Sequence, residues 1–273
     1  MEGSFGEGHL NLPESHEQEP QVLSSLTILV SRHGEKYTAE DDIPEGSKPG
    51  DLTEKGFETA KEMGRTLQVP DRLTVVSYHT DVPRTEKTAE GIVEGLKQQI
   101  AEGNKQAEFR GPKDLTSRLK WNKNSEEILG EINPEFGRIT TEKSFDEAIN
   151  WWIYKSKDST NNIEWTKGLA RTFNTFMGVG EKLKDGSNVL INMVTHGGAP
   201  DRFLLSILRQ KGLIGKEGAE GLKEMGGALG YLDSFQINVR RFDNGQTNST
   251  FLFRNHEVEL TRDDLMELIQ NLK

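Results

Sequence analysis

Leu26-Thr27-Ile28-Leu29-Val30-Ser31-Arg32-His33-Gly34-Glu35 is the stretch on which the reading of this chain turns. Leu26, Ile28, Leu29 and Val30 form an apolar run too short to cross a bilayer and bounded by polar residues. That is the pattern of a central strand in a parallel sheet covered on both faces. The run stops at Arg-His-Gly. Open α/β sheets bind ligands beyond the carboxyl ends of their strands, which is where Arg32 and His33 fall. Arginine offers a fixed cation with a planar fork for phosphate or carboxylate. An imidazole changes charge near neutral pH and can act as nucleophile, base or ligand. Gly34 lets the backbone turn tightly. Three such residues alone do not separate a site from a surface arginine beside a structural histidine, so the rest of the chain decides.

Two more strand ends repeat the theme. Leu73 to Tyr78 is rich in β-branched residues and reads as a second strand. It runs into His79-Thr80-Asp81-Val82-Pro83-Arg84, with a helix expected from Thr85 to about Ile100. Arg84 then lies near a helix N-terminus, where backbone N–H groups favour an anion. Val189 to Val194 reads as a third strand ending in Thr195-His196-Gly197-Gly198-Ala199-Pro200, and Pro200 suits the first turn of a helix. In a parallel sheet the three ends share one edge, which would gather Arg32, His33, Arg84 and His196 around a small dianion. Two charge-assisted, bidentate guanidinium contacts would fix a phosphoryl group and neutralise charge developing in transfer.

The connecting segments fill in the plan. Residues 1 to about 24 hold glycines, prolines and glutamates but no Lys or Arg, and read as a disordered tail. Residues 36 to 50 form a long polar loop. Thr53 is the expected N-cap of a helix to about Leu67, with Phe57, Ala60, Met63, Gly64 and Leu67 on its sheet-facing side. Residues 101 to about 160 carry dense aromatics (Trp121, Trp151, Trp152, Tyr154) and read as an insertion or cap. Within it a short strand is expected near Leu115 to Trp121 and a helix from Phe145 to Tyr154. A helix from Ile163 to Leu183 precedes the third strand. Lys211 to Gly230 is glycine-rich and reads as a mobile loop with one short helical piece. Leu232–Arg241 and Thr250–Leu260 read as strands joined at Asp243-Asn244-Gly245. Thr261 begins a last helix.

Composition narrows the chemistry. A formal charge of -10 over 273 residues argues against general affinity for nucleic acid or an anionic membrane. The absence of cysteine removes thiolate nucleophiles, disulfides and Cys-based zinc sites. With no apolar span and no secretory signal pattern, the expected location is cytoplasmic. Neither GxxxxGK[ST] nor a GxGxxG after a strand is present.

Arg32-His33-Gly34, Leu52-Thr53-Glu54-Lys55-Gly56, Arg84-Thr85-Glu86-Lys87-Thr88-Ala89 and Val194-Thr195-His196-Gly197-Gly198 occur in an order that resembles the histidine phosphatase superfamily, in its phosphoglycerate mutase-like branch. The resemblance covers roughly residues 25 to 100 and 160 to 210. It implies an α/β fold, a three-layer α/β/α sandwich on a mostly parallel sheet, as one domain over 25–273 with the inserted cap around 101–160. It implies a phosphatase in which neutral His33 attacks phosphorus and carries the phosphoryl group. Arg32, Arg84 and His196 would hold the oxygens, with no metal or other cofactor. A small phosphorylated molecule is the implied partner. The proton donor is similar to a Leu-x-Glu pattern, met at Leu129-Gly130-Glu131, with Glu126, Glu127 and Glu35 as competitors. The acid-phosphatase branch places Asp directly after the second His, where this chain has Gly197. A mutase, a non-catalytic phosphate-binding module of the same fold, and a metal hydrolase using His33 and His196 are the alternative readings. Specificity is expected from residues 36–50, 101–160 and 211–230, where the resemblance fades.

Overall fold

The computed structural model describes residues 20–116, 119, 125–156 and 159–272, with the side chains of 125–133 and 159 excepted. Its centre is β1 (Val22–Arg32). Alternate residues of a strand face opposite sides, and β1 uses both. Leu26, Ile28 and Val30 enter one apolar cluster and Leu29 the other. The neighbouring strand β4 (Asn188–Thr195) does the same, with Ile191 and Met193 on one side and Leu190 and Val194 on the other. That two-sided burial is why both sequences read as continuous apolar runs.

The sheet has seven strands in the order β3-β2-β4-β1-β5-β6-β7, with β2 (Arg72–His79), β3 (Gln106–Asp114), β5 (Ser234–Phe242), β6 (Thr247–Phe253) and β7 (His256–Glu259) completing it. β3, β2, β4 and β1 run parallel, while β5, β6 and β7 are added antiparallel. One face is covered by α1 (Glu54–Thr66) and α2 (Pro83–Glu102). The other packs α4 (Phe145–Tyr154), α5 (Ser159–Gly180), α6 (Ala199–Gln210), α7 (Gly218–Glu224) and α8 (Arg262–Asn271). α3 (Ser125–Glu142) packs on α4. The result is the three-layer α/β/α arrangement. Among the described residues no helix is long and apolar enough to cross a membrane.

Local signals act where expected. The Thr53 hydroxyl accepts the Gly56 N–H at 2.8 Å and so caps α1, and Pro83 occupies the first turn of α2. α1 and α2 pack closely because glycine stands at their crossing: a Cβ on Gly95 would meet the Lys61 carbonyl, and one on Gly64 the Ile92 carbonyl. Gly95→Ala is therefore expected to force the helices apart and cost about 1–3 kcal/mol, read as a lower denaturant midpoint with an unchanged slope. A midpoint equal to wild type would contradict this packing.

Several expectations are corrected. The strand expected at Leu115–Trp121 is β3, at 106–114. It is an edge strand, mostly exposed, in which only Ala107 and Phe109 turn to the core before Gly111-Pro112 interrupts the alternation, and proline is tolerated at an edge. Residues 117, 118, 120 and 121 of the expected strand lie outside the described residues. The strand expected at Thr250–Leu260 is two, β6 and β7, broken at Arg254, whose φ of 50° reverses the chain. β1 starts at Val22, inside the segment read as tail, because Val22 pairs with Phe242; residues 1–19 lie outside the described part. The glycine-rich stretch before β5 is packed rather than loose: Leu222, Met225 and Leu229 are buried, and Arg254 donates to the carbonyls of Met225 and Gly227 at 2.7 and 3.0 Å.

Candidate active site

β2, β4 and β1 are adjacent and parallel, so their carboxyl ends open on one edge. Arg32 pairs with Thr195 across β1 and β4, and the His33 N–H donates to the Thr195 carbonyl at 3.0 Å. The structure brings together all four residues singled out at the strand ends. His33, Arg84 and His196 are buried there, with Arg32 half-buried beside them.

His33 is held as one tautomer. Its Nδ1 lies 2.8 Å from the Gly34 carbonyl oxygen. A carbonyl can only accept, so Nδ1 carries the proton and Nε2 keeps its lone pair. The turn that does this is tied to α2: the Gly34 N–H donates to the Thr88 hydroxyl at 3.1 Å, which donates to the Arg84 carbonyl at 2.7 Å. Gly34 itself is required, since a Cβ there would sit 2.8 Å from the Gly56 carbonyl.

His196 is held as the opposite tautomer. Arg84 Nη2 lies 3.4 Å from its Nδ1. Guanidinium only donates, so Nδ1 accepts and Nε2–H donates to Thr80 Oγ1 at 2.8 Å. The chain continues from Thr80 Oγ1 to Thr85 Oγ1 at 3.0 Å and on to the Val82 carbonyl at 2.7 Å. The two imidazoles meet edge to face, 5.5 Å between centroids.

Arg84 also donates to the Gly50 carbonyl at 3.3 Å, which ties the 36–50 loop to the site. Arg32 is gripped between two rings, its Cζ 4.6 Å from the Phe145 centroid and 4.8 Å from that of Tyr231, while Nη1 donates to the Leu229 carbonyl at 2.7 Å. Lys36 is half-buried, and its charge is disfavoured by burial first and then by Arg84 and Arg32. The site is thus an electropositive cluster in a net acidic chain.

Both imidazoles are held well below the usual histidine range. Burial is the main cause, followed for His33 by Arg84, His196 and Arg32, and for His196 by Arg84, Arg32 and Lys36. Each is therefore neutral at neutral pH. Their folded values lie below the ~6.5 of an unfolded histidine, so the unfolded chain binds more protons in between. The stability they confer is complete above about pH 6.5 and is lost as pH falls through their folded values. The thermal midpoint is accordingly expected to drop as pH is lowered from about 7.5 to about 5.5, less steeply in His196→Asn. A wild-type profile flat over that interval would contradict it.

Carboxylates are placed differently from the expectation. Glu35 turns away toward α1, 3.3 Å from Lys55 Nζ and within 3.5 Å of the Thr53 hydroxyl. Glu126, Glu127 and Glu131 stand in α3, a helix that packs on α4, but their side chains lie outside the described residues. Asp201, not singled out from the sequence, is fully buried and accepts the N–H of Gly198 at 2.6 Å and of Leu229 at 2.7 Å. Burial pushes its carboxyl up, opposed by those two bonds and by Arg32. A sequence signal for it existed: Asp three residues after Gly198 at a helix start is a capping pattern. Thr80 and Tyr231 offered no comparable signal. Among the described residues no group of three or more His, Asp or Glu side chains is arranged to hold a metal ion.

Comparison with known proteins places part of the chain. Residues 28–111 match the family model described as the histidine phosphatase superfamily, branch 1. No curated protein matches the chain. Among solved structures, a mycobacterial hydrolase is 14% identical, with 91% of this chain and 98% of that one covered at a TM-score of 0.41. The apo phytase of Hafnia alvei is 10% identical, with 92% and 96% covered at 0.41. A mycobacterial glucosyl-3-phosphoglycerate phosphatase is 13% identical, with 84% and 98% covered at 0.41. Similarities of this size bear on neither substrate nor activity. The family match spans three of the four quoted motifs, and the segment carrying Arg32, His33 and Arg84 is similar to the histidine phosphatase superfamily, branch 1.

Proposed function

We propose that the protein is a phosphatase that hydrolyses a small phosphomonoester through a phosphohistidine on His33. The observation that carries this reading is the tautomer of a buried imidazole: Nδ1–H is committed to Gly34 and Nε2 is left as a neutral nucleophile beside two guanidiniums.

Nε2 of His33 attacks phosphorus as the ester P–O bond breaks, and the leaving oxygen takes a proton from a carboxylic acid. Water, deprotonated by the same carboxylate, then attacks the phosphohistidine, releasing orthophosphate and the free imidazole. Arg32 and Arg84 neutralise the non-bridging oxygens, with no reorganisation beyond what the fold has already imposed. His196 accepts from Arg84. A bound dianion favours its protonation at Nδ1, which turns it into a donor to phosphate while Nε2–H stays on Thr80. Glu131 is the acid the family resemblance implies, carried on a helix that packs against α4. No metal or other cofactor enters these steps.

The test is phosphate release from p-nitrophenyl phosphate in the presence of chelator, with a parallel search for acid-labile phosphate on His33. Chelator-resistant release together with labelled His33 is expected. Transfer to an added alcohol or sugar without net hydrolysis would point to a mutase instead, and release without any labelled histidine would sink the covalent route.

A further inference from the structure

Tyr231 is an exposed aromatic at the centre of the site. It is 41% exposed, yet its ring lies 5.7 Å from the His33 ring, tilted at 45°, and against the Arg32 guanidinium. Leaving an aromatic half in water beside a buried nucleophile forgoes the burial such a ring ordinarily gains.

The chain also strains its backbone to hold it there. Gly230 to Asp233 form a tight turn closed by the Asp233 N–H on the Gly230 carbonyl at 3.2 Å. Leu232 occupies a position with φ of 60°, which favours glycine and is costly for a bulky side chain. Such strain persists only where the surroundings over-determine it, and here they do. Asp233 Oδ2 accepts from the Gly230 N–H at 2.9 Å and from Arg254 Nη2 at 3.0 Å. The Arg32 N–H donates to the Asp233 carbonyl at 3.0 Å. Upstream, Leu229 is anchored at both backbone groups, to Asp201 at 2.7 Å and to Arg32 Nη1 at 2.7 Å. The same atoms that set the phosphate arginine also set the tyrosine ring.

We propose that Tyr231 is the platform on which the organic body of the substrate lies, so that the site selects aryl or similarly flat phosphomonoesters over small aliphatic ones. This rests on the phosphomonoester reading above. With phosphorus in line with His33 and its oxygens on Arg32 and Arg84, the leaving group projects outward past the exposed tyrosine ring. A flat group there stacks on the ring, whereas a small hydroxylated one stays in water and gains little.

The test separates the platform from the chemistry by measuring binding of non-hydrolysable ligands. Phenylphosphonate and methylphosphonate are titrated calorimetrically into wild type, Tyr231→Phe and Tyr231→Ala, with orthophosphate as the reference anion. Wild type is expected to prefer the phenyl ligand by about tenfold. The preference, read as the ratio of the two phosphonate affinities, should persist in Tyr231→Phe, which keeps the ring, and fall to near unity in Tyr231→Ala, where methylphosphonate and orthophosphate share whatever loss follows from releasing Arg32. Equal loss of both phosphonates and of orthophosphate in Tyr231→Ala would overturn the proposal, making the ring a mere support for Arg32. Loss of the preference in Tyr231→Phe would overturn it by assigning the role to the hydroxyl. No preference in wild type would also overturn it. An intact preference in a protein that releases no phosphate from p-nitrophenyl phosphate would sink the hydrolase reading and leave the platform standing.

Discussion

His33→Ala is expected to abolish chelator-resistant phosphate release, with a fall in kcat of at least about 10³-fold, the scale on which removal of a covalent nucleophile is felt. Three observations set that size. Nδ1 is committed to a backbone carbonyl, so the ring has one orientation and one basic atom to offer. Burial, and then the adjacent cations Arg84 and Arg32, disfavour its protonation, so the ring stays neutral below neutral pH. And Arg32 and Arg84 are held by the Leu229 and Gly50 carbonyls rather than by His33, so phosphate should still bind to the variant. The expected pattern is therefore lost turnover and no labelled histidine, with orthophosphate affinity kept within an order of magnitude and the thermal midpoint above pH 7 near that of wild type. Removing a buried imidazole surrounded by cations lifts a desolvation cost as it opens a cavity, and the two partly offset. Turnover equal to wild type in His33→Ala would remove the mechanism proposed here.

Asp201→Ala is expected to be the most damaging single change to stability outside the core, at about 3–5 kcal/mol. The side chain is wholly buried and closes two backbone donors, Gly198 N–H and Leu229 N–H. Each buried donor left without an acceptor costs about 1–3 kcal/mol, and the alanine variant leaves both. It also takes the strongest opposing charge from Arg32, whose own charge is disfavoured chiefly by burial and favoured first by Asp201. A chain of this size loses roughly 2–4 °C per kcal/mol, so the thermal midpoint should drop by on the order of 10 °C. Asp201→Asn keeps one accepting oxygen and should fall between. Function should suffer beyond stability. Gly198 holds a φ of 94° against Trp152, and Leu229 is the strap that fixes Arg32, so orthophosphate affinity should fall even at temperatures where the variant is folded. A midpoint within a degree of wild type would show that water replaces the carboxylate.

Much of the site was legible because its signals are local. Arg32-His33-Gly34 follows an apolar run, Arg84 follows a strand and a Pro, and His196 follows an apolar run before a Pro-containing helix start. Each can be recognised within about ten residues. Glu35 was a candidate on the same grounds, but residue separation says nothing of direction, and its carboxylate turns to Lys55 on the following helix. β3 escaped for a related reason. Its alternation is confined to Gln106–Arg110, with two inward residues, and Gly111-Pro112 looks like a turn until a neighbouring strand supports it.

The sequence by itself determined that β1, β2 and β4 would be buried strands ending in cationic and imidazole side chains, since alternation, capping and proline act over one or two turns of chain. Only the tertiary structure decided what surrounds those ends. β5 runs antiparallel to β1, so its beginning, not its end, lies beside Arg32, and that reversal is what delivers Tyr231 and Asp233 to the site. The tautomers of His33 and His196 depend on partners one residue and 116 residues away, and Asp201 works through Leu229, 28 residues on. Such contacts follow from strand order and direction, which are settled by burying both faces of the sheet at once. No short stretch of chain contains that information.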